Sequence, residues 1–127
     1  MRPALLLAAL TVGPAFADGA LAVPSGMPVT FHEMLWDQPG QGLTYRFRFV
    51  APEIGPGGRA FEEVALDMEH LCQTYALPKL AAIGPKPAQI VISLAQKSVE
   101  FGQPAPDVPQ FFEAYRVEDD TCIWEVF

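Results

Sequence analysis

The stretch from Leu43 to Phe49 constrains the fold most, because Leu43, Tyr45, Phe47 and Phe49 alternate with Thr44, Arg46 and Arg48. A period of two puts the apolar side chains on one face of a strand and the polar ones on the other. Such a strand belongs in a sheet with one face covered. A second pattern supplies the cover. Phe61, Val64, Ala65, Met68, Leu71, Cys72 and Tyr75 recur at spacings of three and four, which describes one face of an amphipathic helix. Glu62 and Glu63 fall in its first turn, where the helix dipole favours negative charge, and Pro78 is expected to stop it. Its start carries no Ser, Thr, Asp or Asn cap.

Around these two elements the remaining strands fall into place. Val29 to Trp36 is apolar with β-branched and aromatic residues, and the Gln38 to Gly42 turn joins it to the Leu43 strand as a hairpin. Gln89 to Ala95, with Ile90, Val91, Ile92 and Leu94, reads as a central strand buried on both faces. Val99 to Phe101 is expected to form a short edge strand, and Gly102 to Pro109, with three prolines, a loop. Phe111 to Glu118 and Thr121 to Phe127 make a second hairpin around Asp119 and Asp120. A two-residue loop sets Val117 against Cys122, Tyr115 against Trp124 and Glu113 against Val126; a longer loop is the alternative, and a one-residue slip reverses every face. The expected fold class is α+β: an antiparallel or mixed sheet of about five strands, two hairpins plus a central strand, with one amphipathic helix packed on one face.

The chain opens with an export segment. Arg2 precedes an apolar run from Ala4 through Val12, Gly13 and Pro14 break it, and Ala15, Phe16 and Ala17 close it with the small residues a signal peptidase reads. A run this short does not reach the roughly 20 residues a spanning helix needs; an uncleaved anchor is the alternative. The organisation is therefore a signal peptide over 1–17, a flexible mature amino terminus over 18–28 and a single domain over 29–127, with no later transmembrane segment. Cleavage removes one of eight basic side chains and none of the fifteen acidic ones, leaving a formal charge of −8. That balance argues against nucleic acid and anionic membrane surfaces as partners, since both are held by clustered Lys and Arg.

Export places the two cysteines, Cys72 and Cys122, in an oxidising compartment. Cys72 lies on the apolar helix stripe and Cys122 shares a strand face with Trp124 and Val126, so a disulfide tying helix to last strand is expected. Separate buried thiols are the alternative.

The chain resembles a small group of exported alphaproteobacterial proteins of unknown function. The resemblance lies in Val23, Pro24, Ser25, Gly26, in Val91, Ile92, Ser93, Leu94 with Val99, Glu100, Phe101, Gly102, and in Phe111 to Arg116 and Thr121 to Glu125. It implies compartment and fold rather than a chemistry.

Candidate chemistry is sparse. Glu63, Asp67 and His70 stand at i, i+4 and i+7, where their side chains can converge on one divalent cation; a solvated acidic helix face is the alternative. His32 and Glu33 lack the second histidine of a zinc-protease motif. Ser25, Ser93 and Ser98 lie in no Gly-x-Ser-x-Gly turn, and Gly55 to Gly58 are followed by no Lys-Ser or Lys-Thr. No cofactor is implied.

The sheet's second face is more informative. Arg46 and Arg48 project from it, with Phe112, Arg116, Ile123 and Phe127 joining them under the two-residue register. A helix covers one face only, so these are exposed or lie under the Pro-rich loop, and arginine with aromatic residues is the composition of recognition surfaces. Ordinary cross-strand Arg to Glu pairing is the alternative. Both arginines are expected on the solvent side, with little effect on stability when replaced. The functional expectation is a non-enzymatic periplasmic binding or accessory module that meets another periplasmic or envelope protein through this face. A small metal-dependent hydrolase using Glu63, Asp67 and His70 is one alternative, and a structural part of an envelope complex another.

The Ala15 to Ala17 triplet predicts a mature protein beginning at Asp18. Intact mass of protein recovered from the periplasm checks this, and a chain retaining Met1 or Arg2 refutes it.

Overall fold

The computed structural model describes residues 19–37, 43–83 and 86–126. The expected signal peptide, Asp18, the turn over 38–42 and Phe127 lie outside the described residues. Five strands form one mixed sheet among them: β1 (Thr30–Asp37), β2 (Thr44–Val50), β3 (Gln89–Ala95), β4 (Gln110–Glu118) and β5 (Thr121–Glu125). They lie in the order of the chain, so β3 is central. β1 and β2 pair antiparallel, as do β3 with β4 and β4 with β5, whereas β2 and β3 run parallel. Burial of β3 from Ile90 to Ala95 explains its continuous apolar run.

The last hairpin takes the two-residue loop. Asp119 and Asp120 adopt φ of 51° and 59°, the left-handed pair of a type I′ turn whose twist matches the flanking strands. Val117 therefore pairs with Cys122 and Tyr115 with Trp124. The pairing ends at Ala114 and Glu125, so Val126 does not face Glu113 within the ladder. In β1, a bulge between Phe31 and Glu33 keeps Phe31 and Met34 against the core while Glu33 turns to the opposite face beside Arg48.

One continuous helical stretch crosses the sheet between β2 and β3: α1 (Phe61–Leu71), a π turn over Cys72–Ala76, and α2 (Leu77–Ile83). The missing cap is half replaced by Glu63, whose Oε1 accepts the Ala60 backbone N–H at 2.7 Å. Pro78 does not stop the helix. It lacks an N–H, and its ring conflicts with the carbonyl four residues back; the wider π turn just ahead, where the Leu77 N–H reaches back to Cys72 O, loosens that spacing. Val64, Met68, Leu71, Ala76 and Leu80 are buried against Phe47, Phe49, Ile90, Ile92 and Leu94. Phe31, Phe49 and Tyr75 form an aromatic group at one side of this layer, with ring centroids 5.1 to 5.8 Å apart.

The layer is fastened at both ends. Cys72 and Cys122 form the expected disulfide, with Cα atoms 6.3 Å apart across a sequence separation of 50. Closing such a loop stabilises a fold by about 4 kcal/mol in the chain-entropy description. Gln73, next to it, accepts the Cys122 N–H at 3.0 Å and donates to Asp120 O at 2.8 Å. At the other end, residues 19–28, where flexibility is expected from sequence, lead into β1. Val23, Met27 and Val29 are buried. Asp67 accepts the Ser25 backbone N–H at 2.9 Å and the Ser25 hydroxyl at 2.5 Å. This carboxylate is 1% exposed, so it does not belong to a solvated helix face.

The second sheet face corrects two further expectations. Val99 to Phe101 form no edge strand; they belong to a strap, residues 97–108, whose ends are closed by Gln96 N–H donating to Pro109 O at 3.0 Å. Gly55, with φ of +109°, lies so close to this base that a Cβ there would stand 2.6 Å from the Pro109 ring. Instead of pairing with a strand, Val99 offers its carbonyl to Arg48 Nη2 at 2.8 Å. Arg48 is also ion-paired with Glu33 and is only 7% exposed. It occupies the expected face without being solvent-facing.

Two predictions follow from this burial. Arg48→Ser strands the partly buried Glu33 and frees the strap, so it lowers stability by about 2 kcal/mol, below the cost of breaking a fully buried pair. Urea denaturation measures it, and a loss under about 0.5 kcal/mol would make Arg48 an ordinary surface residue. The other concerns Glu113, buried on the helix side of β4. Burial raises its pKa, against the opposing pull of the Trp124 indole N–H. As pH rises from the ordinary glutamate range toward the raised folded value, the unfolded chain loses this proton first, so stability falls across that window. Glu113→Gln should remove that component, so the urea midpoint of the parent protein should fall relative to that of the variant as pH rises above the ordinary glutamate range.

Candidate functional site

Strand alternation places Arg46 and Arg48 of β2, Val91 and Ser93 of β3, and Phe112 of β4 on one face, away from the helix. The strap crosses that face above β2. Its Phe101 ring lies 5.9 Å from the Arg46 guanidinium carbon and 5.4 Å from that of Arg48, within cation–π range of both. Between Phe101 and Phe112 lies a cleft of about 210 Å³, with Val91 and Ser93 as floor and Gln103, Gln110 and Glu100 at its margins. It continues along Arg46 toward Gln89 and Phe112. On the far side of the strap, His32, Glu33, Leu35 and Ser98 line a shallower depression.

Phe101 and Phe112 are 53% and 50% exposed. Nothing in the core requires either ring to be there, whereas Arg48 serves both fold and cleft. The lining offers guanidinium groups, a carboxylate, two amides, a hydroxyl and apolar walls: a surface suited to binding. It brings no histidine to the cleft.

Of the other residues expected on this face, Arg116 and Ile123 pair with each other across β4 and β5. They lie beyond the cleft. Arg116 Nε donates to Glu118 at 2.6 Å, an exposed pair of small energetic value. Glu63, Asp67 and His70 are not gathered for a metal: Glu63 caps α1 and Asp67 holds Ser25. Among the described residues no group of three His, Cys, Asp or Glu side chains is placed to hold a metal ion.

Sequence reading missed Val91, Ser93, Val99 and Phe101 as site residues. Val91 and Ser93 are concealed by the uniform burial of β3. For the strap a signal was present: a long loop without secondary structure is commonly functional, and this one carries an aromatic residue and glycine at Phe101 and Gly102 ahead of its prolines.

Tyr115, on the helix side, is buried, and its hydroxyl pKa is raised first by that burial and then by the charges of Glu113 and Glu69. No cleft opens onto it among those described. No helix among the described residues is long and apolar enough to cross a membrane.

No curated protein and no solved structure matches the chain. A model of DUF6497, a family of unknown function, matches residues 6–127. That span contains every strand and the whole cleft, and the chain belongs to this family.

Proposed function

We propose that this protein is a non-enzymatic binding module of the periplasm that engages another periplasmic or envelope protein through the sheet face and its strap. The observation that carries the reading is the cleft between Phe101 and Phe112 over Arg46 and Arg48. Arginine and aromatic residues are enriched where proteins meet, and a half-exposed ring beside a concave floor is the geometry of an interface anchor. The export segment, the oxidised cysteine pair and the resemblance to exported alphaproteobacterial proteins support the compartment. The hydrolase alternative has less support, because the Asp67 carboxylate it needs is engaged by Ser25.

Site-specific photo-crosslinking in the periplasm tests the reading. A benzophenone amino acid replacing Phe112 should give a discrete adduct with another protein. The same group replacing Leu66, an exposed residue of α1, should not. Absence of an adduct at Phe112, or equal yield from both positions, would overturn the proposal.

A further inference from the structure

Building on that reading, we infer that the cleft is a receptor for one aromatic side chain of the partner protein, taken against Arg46 between Phe101 and Phe112. Three observations lead there. First, the space between the two rings, about 210 Å³, falls below the roughly 300 to 1,000 Å³ of sites that enclose a whole small molecule, and it opens beside Arg46 onto a broader hollow of about 460 Å³. A single large side chain with its adjoining backbone is the better match.

Second, the protein already displays the interaction within its own chain. Arg48 has its N–H edge engaged by Glu33 and by the Val99 carbonyl, and its guanidinium still lies under the Phe101 ring. A guanidinium receives hydrogen-bond acceptors along its edge and rings on its plane, so edge contacts leave the ring-binding plane in use. An incoming carboxylate would compete with Glu33 for that edge. An incoming ring would not.

Third, Arg46 has two flanks. One is near Phe101, and the other lines the continuation of the cleft beside Val91 and Phe112. A ring entering between Phe101 and Phe112 meets the Arg46 guanidinium and an aromatic wall on either side, where offset or edge-on contacts add to the cation–π attraction. Ser93, Gln103 and Gln110 are placed at the margins to meet the backbone that carries it.

The test uses the exported, oxidised chain and three blocked tripeptides, Gly-Phe-Gly, Gly-Leu-Gly and Gly-Glu-Gly, followed by amide chemical-shift titration. The phenylalanine peptide should perturb Val91, Ser93 and Phe112 and bind at least about threefold more tightly than the leucine peptide, as a cation–π contact at a partly exposed site implies. Arg46→Gln should abolish that preference, and Arg46→Lys, which keeps the cation, should retain part of it. Phe112→Ser, at a half-exposed position, should weaken the phenylalanine peptide while leaving the remaining spectrum in place. Equal affinity for phenylalanine and leucine, tightest binding of the glutamate peptide, or shifts confined to another surface would overturn the inference. If Phe112 still crosslinks a partner while the peptides show no aromatic preference, the inference fails and the binding function stands. Loss of the crosslink itself removes the function.

Discussion

The parallel pairing of β2 with β3 at the centre of the sheet is the constraint on which the rest of the structure depends. Parallel neighbours cannot be joined by a tight turn, so the chain leaving Val50 must cross the sheet before it re-enters at Gln89. That crossover is the helical stretch from Phe61 to Ile83. It covers one sheet face with Val64, Met68, Leu71 and Leu80 and commits the apolar alternation of β2 to that side. The disulfide then fastens the crossover to β5, and the Ser25 to Asp67 contact fastens the amino-terminal segment to the crossover. On the opposite face the covering segment described is the strap between β3 and β4.

Elements whose pattern is set by their nearest layer were legible in the sequence. Leu43 to Phe49 announced a strand with two unlike faces, Gln89 to Ala95 a doubly buried one, and the positions of Cys72 and Cys122 a link between helix and sheet. The turn at Asp119 and Asp120 was readable only as two alternatives, because Asp tolerates the left-handed conformation without demanding it as glycine does. What escaped was set at longer range. Pro78 sits within a helix because of a π turn that no local pattern marks. Asp67 is charged and therefore reads as exposed, yet it is buried by Ser25, forty-two residues earlier in the chain. Val99 to Phe101 have the composition of a strand, but Arg48 takes the Val99 carbonyl before a strand can. In each case a contact distant in sequence overrides a local preference.

Those overriding contacts share a form. Asp67 holds the lead-in, Gln73 holds the start of β5, and Arg48 holds the strap; each is a polar side chain on a regular element that satisfies backbone groups of a neighbouring segment. Backbone groups left without a partner are costly when shielded from water, so such ties are the means by which irregular chain packs against a sheet or helix. The consequence for the cleft is that its two arginines are not equivalent. Arg48 is nearly enclosed and its edge is occupied by Glu33 and Val99, so changing it moves the strap and the fold together. Arg46 is only partly buried and lies along the open continuation of the cleft. Recognition can therefore be altered at Phe112 with less disturbance of the fold, whereas a change at Arg48 would register as loss of binding even if Arg48 never touched the partner.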